Sequence, residues 1–506
     1  MTKRQIINLI SVLVIVIFAN LIAARYYYKI DLTENKVYSI SNATKKTLQN
    51  LKYPLHIKVI LSNDIPSPYN NIVRFFLDIL EEYKSFAKDK IKLEIIQGSS
   101  IETEKAAKLY GIPPVQVNAI ESDSLQIKTI YMGAVIIYGD KTETIPVIAN
   151  IKVPEYELTS LIKRMNTDKK RVIAVLDAGK SSTGINTLRS LTQVLSKNYD
   201  VQTVKIEKGK LIDKKFDTAL LISPIEKLKP FEKYALEEFL FSGKNLIMAI
   251  DKVDGDIQSG YAFKKDLGIE NFLEKNGIKL TDKLIFDANA TLINVSRNAG
   301  GFYITTAMKY PFFPEIIDFD RNELFTKGVT SVNMIYPTLI ETDNSSLTIK
   351  PFMFTSEHAG LESEPYNVAI DREYSESDFT KKRIPVGFII EGKFKTDFKN
   401  PLEEYKDTFK KEGNGRLVLI PDGEMFKDDY ISSGDNLKLI SNIIDYLMSD
   451  NELVELRSKV VKYHPISLKD PKTALYLKYF ILLFPPIMVI FIGFIIIKFS
   501  KRRVRL

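Results

Sequence analysis

Two uncharged hydrophobic segments lie near the ends of this 506-residue chain and restrict its architecture more than any other feature. Residues 5–24 form a 20-residue stretch without a charge, and residues 479–497 form a 19-residue stretch with no polar side chain after Tyr479. At about 1.5 Å per residue a helix of this length is roughly 30 Å long, which matches the hydrocarbon core of a bilayer. The segments predict two transmembrane helices, residues 5–24 and 476–497, that flank a large folded region.

The charges beside these segments predict an orientation. The second segment is followed by a basic tail, residues 498–506, with the five cations Lys498, Lys501, Arg502, Arg503 and Arg505. Because cytoplasmic flanks carry an excess of Lys and Arg, we expect both termini in the cytoplasm and the main region outside it. The predicted location is the bacterial inner (cytoplasmic) membrane. A cleaved signal peptide is the alternative for the first segment, although its apolar run is longer than such peptides usually have.

The composition of the chain excludes several function classes. Seven of its 71 basic residues lie in the terminal flanks, which leaves 64 against 63 acidic residues, so no basic footprint for nucleic acid remains. The chain has no cysteine, which excludes disulfides, thiol nucleophiles and cysteine metal sites. Its three histidines, His56, His358 and His464, are isolated and show no zinc-ligand spacing. We therefore expect neither a metal nor a cofactor.

Residues 38–165 have the pattern of a first α/β unit. Ser41 is placed to cap a short helix over residues 43–51, and strands are expected at 55–61 and 91–96 on either side of an amphipathic helix. Residues 127–138 and 143–147 indicate a hairpin around Gly139. The order strand, helix, strand, helix, hairpin resembles a thioredoxin-like unit. The Cys-x-x-Cys pair is absent, so the likeness implies a scaffold only.

Residues 171–450 have the pattern of a second α/β domain. Apolar strands alternate with helices from residue 172 onward, which is typical of a parallel sheet with crossover helices. Residues 255–413 interrupt this alternation with short strands and aromatic loops, so we interpret them as a β-rich insertion. Residues 451–475 form a charged connector to the second hydrophobic segment. The predicted fold class is therefore α/β, with two α/β domains between flanking transmembrane helices.

Polar residues follow the predicted parallel strands at the end of a sheet where ligands usually bind. The candidate ligand-binding residues are Asp177, Gly179, Lys180, Ser223 and Asp251. Residues 174–181 also fit the loose phosphate-loop pattern [AG]-x-x-x-x-G-K-[ST], but Ala174 falls inside the strand, and an ordinary surface turn explains the pattern better. Asp177, Asp251 and Asp422 could act as acids or bases, or equally as turn and cap residues.

The second hydrophobic segment and its tail contain the residues that we expect to contact a membrane or a partner. They are Pro485, Pro486, Gly493, Arg502 and Arg503.

Four stretches of the chain carry a resemblance to a known family. They are residues 28–46 (YKIDLTENKVYSISNATKK), 107–118 (AKLYGIPPVQVN), 155–163 (EYELTSLIK) and 216–224 (FDTALLISP). With these stretches in order and a basic tail at the end, the chain resembles the auxiliary, substrate-binding-like component of gliding-motility-type ABC transport systems. The second domain would then be similar to class I amidotransferase-like α/β domains, without their cysteine.

This resemblance implies partners and no known catalytic residue. The partners would be an ABC permease, a cytoplasmic ATPase subunit and a cell-envelope ligand. Members of the family often carry a His-Gly-Glu-like turn where this chain has Ala178-Gly179-Lys180, which weakens a ligand role for that turn. We predict a non-enzymatic accessory subunit of an ABC-type transport complex. The alternative is an extracytoplasmic hydrolase or carbohydrate-acting enzyme that uses the strand-end aspartates.

Overall fold

A computed structural model describes residues 39–448 except 99, 122–123, 152, 168–169, 182–186, 300–301 and 344–345, together with positions 11, 14, 18, 454, 456, 479, 482–484 and 488. The chain divides into two compact units, residues 1–460 and residues 461–506. The helices and strands below belong to the first unit. In the second unit, the described positions 479, 482–484 and 488 are helical.

The transmembrane part of the predicted fold is wrong. Within the described part of the chain, no helix is both long and apolar enough to cross a membrane. The predicted spans, residues 5–24 and 476–497, lie mostly outside that part. They rested on hydropathy and length, and neither quantity establishes a continuous spanning helix. The fold class is corrected to a strand-rich mixed α/β chain with several sheets, and the inner-membrane location that depended on the spans is corrected with it.

The N-terminal part of the first unit is built around a four-stranded sheet of order β2-β1-β5-β6, in which β1 and β2 are parallel and the other pairs are antiparallel. Its elements are α1 (Asn42–Gln49), β1 (Leu55–Leu61), α2 (Tyr69–Ala87), β2 (Ile91–Ile96), α3 (Ser100–Leu109), β3 (Val115–Glu121), β4 (Ser124–Ile130), β5 (Met132–Tyr138), β6 (Lys141–Ile145) and α4 (Pro154–Asn166).

Helices cover both faces of this sheet. Helix α2 places Val73, Phe76, Ile79, Leu80 and Tyr83 on one buried stripe, because residues three and four apart share a helix face. That stripe packs with α1 and α4 against one face of the sheet, while α3 packs against Ile60 and Val135 on the other. The strands β3 and β4 form a separate two-stranded ladder.

A buried polar network joins the start of α1 to the start of α4. The Glu155 carboxylate accepts hydrogen bonds from the Ser41 N–H at 2.6 Å and from the Thr44 hydroxyl at 2.7 Å. The Tyr83 and Thr159 hydroxyls are 2.5 Å apart, and Tyr83 also donates to the Glu155 carbonyl at 3.1 Å. Since a buried carboxylate is costly without such donors, the network fixes how these two helices pack.

The C-terminal part of the first unit is larger and richer in strands. Its elements are β7 (Val172–Asp177), α5 (Arg189–Leu195), β8 (Asp200–Lys205), β9 (Phe216–Ile222), α6 (Pro230–Phe241), β10 (Ser242–Ala249), β11 (Val253–Asp256), β12 (Tyr261–Lys264), α7 (Glu270–Lys275), β13 (Ile278–Asp287), β14 (Ala290–Ala299), β15 (Phe302–Ile316), β16 (Asp318–Phe319), β17 (Val332–Asn333), β18 (Thr338–Thr342), β19 (Thr348–Phe354), β20 (Ala359–Glu362), β21 (Pro385–Lys395), β22 (Glu412–Ile420) and α8 (Asn436–Leu447).

An eight-stranded sheet organises this part, with strand order β16-β19-β21-β22-β10-β9-β7-β8. The five strands from β22 to β8 are parallel, and β21, β19 and β16 extend the sheet through antiparallel pairs. Alternate residues of the parallel strands enter two cores: α5 and α8 cover one face, and α6 and α7 cover the other. Burial on both faces explains why these strands are almost continuously apolar.

The stretch 255–413, which the sequence predicts to be an insertion, contributes strands to this sheet as well as separate ladders. Strands β16, β19 and β21 lie within the stretch and pair into the large sheet. The others form smaller sheets: β11-β12, β18-β13-β20 and β14-β15-β17. An aromatic cluster that includes Phe286, Tyr310, Phe312 and Tyr336 fills the space between these ladders.

Candidate functional site

The parallel strands β7, β9, β10 and β22 end at one side of the large sheet, which we call the carboxyl edge. Its residues are the four turns 177–181, 223–226, 250–252 and 421–424. The strand order reverses at β7, because the chain places β8 on one side of β7 and β9 on the other. Ligands of doubly wound proteins bind at such a reversal, so the carboxyl edge is where a site is expected.

The two turns at the reversal bind each other. The carbonyl of Gly179 accepts hydrogen bonds from the N–H groups of Ile225 at 3.0 Å and Glu226 at 2.8 Å. Gly179 has φ +58°, and a Cβ there would lie 2.6 Å from the Glu226 carbonyl oxygen. The contact therefore requires glycine at this position. The N–H groups of Ile225 and Glu226, which could otherwise face a ligand, therefore join the two turns.

Lys180 and Ser181 also have partners within the protein, in these turns and at the end of β7. The Lys180 ammonium lies 2.5 Å from a Glu226 carboxylate oxygen, and both side chains are largely exposed. The Ser181 hydroxyl donates to the Leu176 carbonyl at 2.8 Å and accepts from the Ala178 N–H at 3.3 Å. A phosphate loop needs its lysine and backbone N–H groups aimed at the ligand. Here the lysine and the serine contact the protein's own groups.

Ser223 is held in an unusual backbone conformation directly after β9. Its φ is +45°, a region that side chains other than glycine rarely adopt. Its N–H donates to the Ala249 carbonyl at 2.8 Å, and its hydroxyl donates to a Glu424 carboxylate oxygen at 2.9 Å. Glu424 also forms an ion pair with Lys427. Ser223 is 1% exposed, so a substrate could reach the hydroxyl only if the turn opened.

Asp251 and Asp422 are buried beside each other at the ends of β10 and β22. Asp251 accepts hydrogen bonds from the N–H groups of Gly423 at 2.7 Å and Glu424 at 3.4 Å through Oδ1. Its Oδ2 lies 3.9 Å from the Lys265 ammonium and has no hydrogen-bond partner in the part of the chain that the structure describes. Asp422 accepts from the N–H groups of Ile335 at 2.5 Å and Met425 at 3.1 Å. These bonds hold the turn 421–424 between two other segments.

The electrostatics of this pair follow from burial. Loss of solvent raises the pKa of Asp422 well above its usual value, and the nearby negative charge of Asp251 raises it further. The hydrogen bonds from Ile335 and Met425 act in the opposite direction and are the smaller effect. Asp422 therefore holds its proton to a higher pH than an ordinary aspartate does.

The carboxyl edge has few of the groups that catalysis commonly uses. None of its four turns contains a histidine. Of the chain's histidines, His56 lies in β1 and His358 precedes β20, and both are exposed, while His464 is outside the described residues. Over the described chain, no group of three or more His, Asp or Glu residues could hold a metal ion. What the arrangement does chemically is to satisfy buried backbone N–H groups with the carboxylate oxygens of Asp251 and Asp422.

The candidate residues predicted from the sequence are brought together only in part. Gly179 and Lys180 contact the turn that follows Ser223, through Glu226. Asp251 contacts the turn that contains Asp422. Asp177 is the last residue of β7, opposite Lys205 in the ladder. The predicted docking residues Pro485, Pro486, Gly493, Arg502 and Arg503 lie outside the described residues.

Comparisons with known proteins connect this domain to transport. A family model described as an ABC-type uncharacterized transport system matches residues 170–450, which is more than half of the chain. The chain belongs to this family. An accessory role in an ABC-type transport system follows from that membership. A second model, a domain of unknown function, matches residues 34–137, so the N-terminal part of this family member has a recognised counterpart without an assigned activity.

A relative with a similar overall length is known in Borreliella burgdorferi. This uncharacterized protein is 24% identical over 483 residues, which cover 91% of this chain and 90% of the relative. Among solved structures, the mmIFT52 N-terminal domain is 16% identical, with a TM-score of 0.34, over 54% of this chain and 96% of that one. A ThuA-like protein from Parabacteroides merdae is 10% identical, with a TM-score of 0.29, over 59% and 94%. These scores are too low to support conclusions about fold or function.

Two features of the part that the family model matches, residues 170–450, are not predicted from the sequence. Glu424 contacts Ser223 across 201 residues of sequence, and no local pattern indicates such a pair. Glu237 of α6 is buried, and its carboxylate accepts a hydrogen bond from Thr396. Burial raises the pKa of Glu237 to about 8. The only sequence signal for Glu237 is an acidic residue among apolar ones in a helix, which is also compatible with an exposed position.

Proposed function

We propose that this chain is a non-enzymatic accessory subunit that binds the permease of an ABC-type transport complex, while a separate subunit hydrolyses ATP. Family membership over residues 170–450 is the observation that carries the proposal. That the complex is a transport system of the gliding-motility type, which the sequence resembles, is a narrower prediction within this proposal.

The contacts at the carboxyl edge support a binding role over catalysis. Gly179, Ser223, Asp251 and Asp422 each bond to a neighbouring turn or segment of the same chain. Such bonds hold the turns in fixed positions, which suits a rigid surface for another protein. A catalytic carboxylate would instead face a substrate within hydrogen-bond reach.

A hydrolase that uses Asp251 and Asp422 is the second candidate, and one observation favours it. The raised pKa of Asp422 beside Asp251 resembles the way in which enzymes separate an acid from a base. Against this candidate, Asp422 is 0% exposed and Asp251 is 2% exposed, so neither carboxyl is open to a substrate in this conformation.

Reconstitution with defined partners tests the proposal. The chain is co-expressed with the permease and ATPase subunits of its own transport system and purified in mild detergent. We expect a complex of fixed stoichiometry whose ATPase activity depends on whether the chain is present. The chain by itself should hydrolyse no ATP. Failure of the chain to bind the permease–ATPase complex would contradict the proposal.

Two variants of the chain in the same reconstituted complex test the hydrolase alternative. Asp251→Asn and Asp422→Asn remove the ionisable carboxyl groups that acid–base chemistry requires. If the ATPase dependence survives in both variants, the carboxyls are structural. A hydrolytic activity on model esters or glycosides that both variants abolish would instead favour the enzyme.

A further inference from the structure

The hairpin of β11 and β12 packs one of its faces on the body of the domain. Val253 and Ala262 are buried on this face, in the aromatic cluster that includes Tyr336. Gly255 lies opposite Ala262, and a Cβ there would be 2.4 Å from the Tyr336 ring. The backbone of the hairpin therefore rests directly on the cluster, which fixes the direction in which its other face points.

This other face, which we call the hairpin face, carries two aromatic rings opposite two carboxylates. The ladder pairs Asp254 with Phe263 and Asp256 with Tyr261, and residues directly opposite each other share a face. Tyr261 and Phe263 are two residues apart on β12, so their Cα atoms are separated by roughly 7 Å. Each ring is 62% exposed, and the Asp254 side chain is 61% exposed. Rings and carboxylates are therefore open to one ligand.

The carboxylates of the hairpin face keep their charge. A hydrogen bond from the Gln258 N–H at 2.9 Å lowers the pKa of Asp256, so this carboxyl is ionised at neutral pH. The Lys265 ammonium lies 3.9 Å from Asp254 and also 3.9 Å from Asp251 of the carboxyl edge. Both distances are too long for a hydrogen bond, and the one lysine is shared between two carboxylates.

The other lysines beside the hairpin are paired with carboxylates outside the hairpin face. Lys252 lies 2.5 Å from Glu270. Lys264, next to Phe263 but on the packed face, lies 2.6 Å from Asp282 and 2.5 Å from Glu364. The hairpin face therefore has a negative charge, and through Lys265 it adjoins the carboxyl edge, the end of such a sheet at which ligands bind.

Aromatic rings next to carboxylates favour a cationic ligand. The face of an aromatic ring carries negative charge and attracts a cation. A guanidinium group suits both components, because its plane stacks on a ring while its N–H groups pair with a carboxylate, often through two parallel hydrogen bonds. An ammonium group is a compact charge that does neither. Arginine is therefore the side chain that this face fits best.

Charge also argues against a second copy of the chain as the occupant. A two-fold dimer brings the same patch of both copies together. Four carboxylates would then lie in one interface, and like charges placed against each other reduce affinity. A basic segment of a different protein meets opposite charges at the same place.

We propose that the hairpin face binds an arginine-containing basic segment of another protein, with a guanidinium group stacked on the rings of β12 and paired with the carboxylates of β11. The inference goes beyond the proposed accessory function, since it names a ligand chemistry that does not depend on which complex the chain joins.

Peptide binding to the full-length chain, purified in mild detergent, tests the proposal. The probe is a fluorescein-labelled peptide of alternating arginine and glycine, and the same peptide with lysine in place of arginine is the comparison. Fluorescence polarisation gives Kd for each peptide at several NaCl concentrations. We expect the arginine peptide to bind at least threefold more tightly than the lysine peptide. Binding of both should weaken as NaCl rises, because salt screens exposed ion pairs.

Two double variants separate the components of the face. Tyr261→Ala with Phe263→Ala removes both rings. Asp254→Asn with Asp256→Asn removes both charges, while asparagine keeps an acceptor oxygen for the Gln258 N–H. All four substituted positions are exposed, so both variants should fold, and circular dichroism and urea unfolding check this.

Phe302→Ala with Ile304→Ala is the matched control. These residues of β15 are also exposed and two residues apart on one strand. In their ladder they lie opposite Ala299 and Arg297, so no carboxylate faces them. The control therefore removes an exposed apolar pair without touching a combined ring-and-carboxylate surface.

We expect each hairpin variant to raise Kd for the arginine peptide at least fivefold and the control to stay within twofold of wild type. Absence of binding by wild type, or a loss in only one of the two hairpin variants, would refute the combined site. Binding of a neutral oligosaccharide such as cellohexaose in place of the peptide, abolished without the rings, would make the face a sugar platform and overturn the proposal. A dimer in sedimentation velocity that only the hairpin variants abolish would overturn it in favour of a second copy.

Discussion

Asp251 accepts the backbone N–H of Gly423 at 2.7 Å and thereby ties the end of β10 to the end of β22. Both residues are inaccessible to solvent or nearly so, and the same carboxylate reaches the N–H of Glu424 at 3.4 Å. A buried carboxylate with two backbone donors is a common way to fix a turn. The sequence predicts Asp251 to be a ligand-binding residue. In the structure its carboxylate is bonded to the protein's own backbone.

Removal of the Asp251 carboxylate should destabilise the domain. Asp251→Ala leaves the Gly423 N–H buried without an acceptor, which costs about 1–3 kcal/mol and more with the cavity. Asp251→Asn keeps an acceptor oxygen and removes the charge beside Asp422, so it should cost less. Urea unfolding of the two variants measures the difference. Equal losses in both would mean that the charge matters and the hydrogen bond does not.

Glu237 should make the stability of the domain depend on pH. Its pKa is raised by burial to about 8, from an ordinary value of 4.5. Between these values the folded state holds a proton that the unfolded state releases. The free energy of unfolding therefore falls as pH rises from about 4.5 to about 8, by at most about 1.4 kcal/mol per pH unit from this group. Well above pH 8 the stability that comes from protonated Glu237 is lost in full.

Glu237→Gln removes this titration while it preserves the size of the side chain. We expect the variant to gain stability over wild type as pH rises through the window, with the smallest difference near pH 4.5. The exposed Glu274→Gln serves as the control for loss of one carboxyl. Urea titrations at about pH 5 and about pH 9 compare the three proteins. A constant difference between Glu237→Gln and wild type across this range would rule out the titration.

Local patterns predict the individual elements of this chain well where one face of an element is buried. The structure has strands at Leu55–Leu61 and Ile91–Ile96, as the sequence predicts, and Ser41 caps α1 through its bond to the Thr44 N–H. Periodicity and cap chemistry are properties of neighbouring residues, so they are visible in the sequence.

Contacts between distant segments explain where the sequence-based predictions differ from the structure. Residues 127–138 are predicted as one strand, but Tyr131 separates β4 from β5. The N–H and carbonyl of Tyr131 bond to Ser62 instead of to a ladder. Ser62 lies in the loop after β1, about 70 positions earlier. No residue near Tyr131 in the sequence indicates that these two residues are in contact.

The carboxyl edge shows the same limit for the candidate site. Strand ends and their polar residues can be placed from the sequence, which is why Ser223 and Asp251 were candidates. Whether their side chains face a ligand or the protein depends on Glu424 and Gly423, some 200 and 170 residues away.

Gly179 should be intolerant of any side chain. An alanine would be placed at φ +58° with its Cβ 2.6 Å from the Glu226 carbonyl oxygen. The conformation costs about 1–2 kcal/mol and the overlap about 1–3 kcal/mol more. Gly209 has a similar φ of +78° with open space around it, so Gly209→Ala isolates the conformational part. If urea unfolding finds the two variants equally stable, the two turns at the strand reversal do not bind each other as described.

The ion pair between Lys180 and Glu226 should keep the turn after β7 from binding anions. Its ion pair with Glu226 is exposed, so Lys180→Ala should change the free energy of unfolding by less than about 0.5 kcal/mol. Because the lysine contacts Glu226 and the Gly179 carbonyl joins the turns, we expect inorganic phosphate and ATP to shift the melting temperature of wild type and Lys180→Ala equally. Glu226→Gln frees the lysine from its partner and is the matched comparison. A phosphate-dependent stabilisation that Lys180→Ala abolishes, and Glu226→Gln strengthens, would show that the turn is an anion site and that its partner carboxylate competes with the ligand.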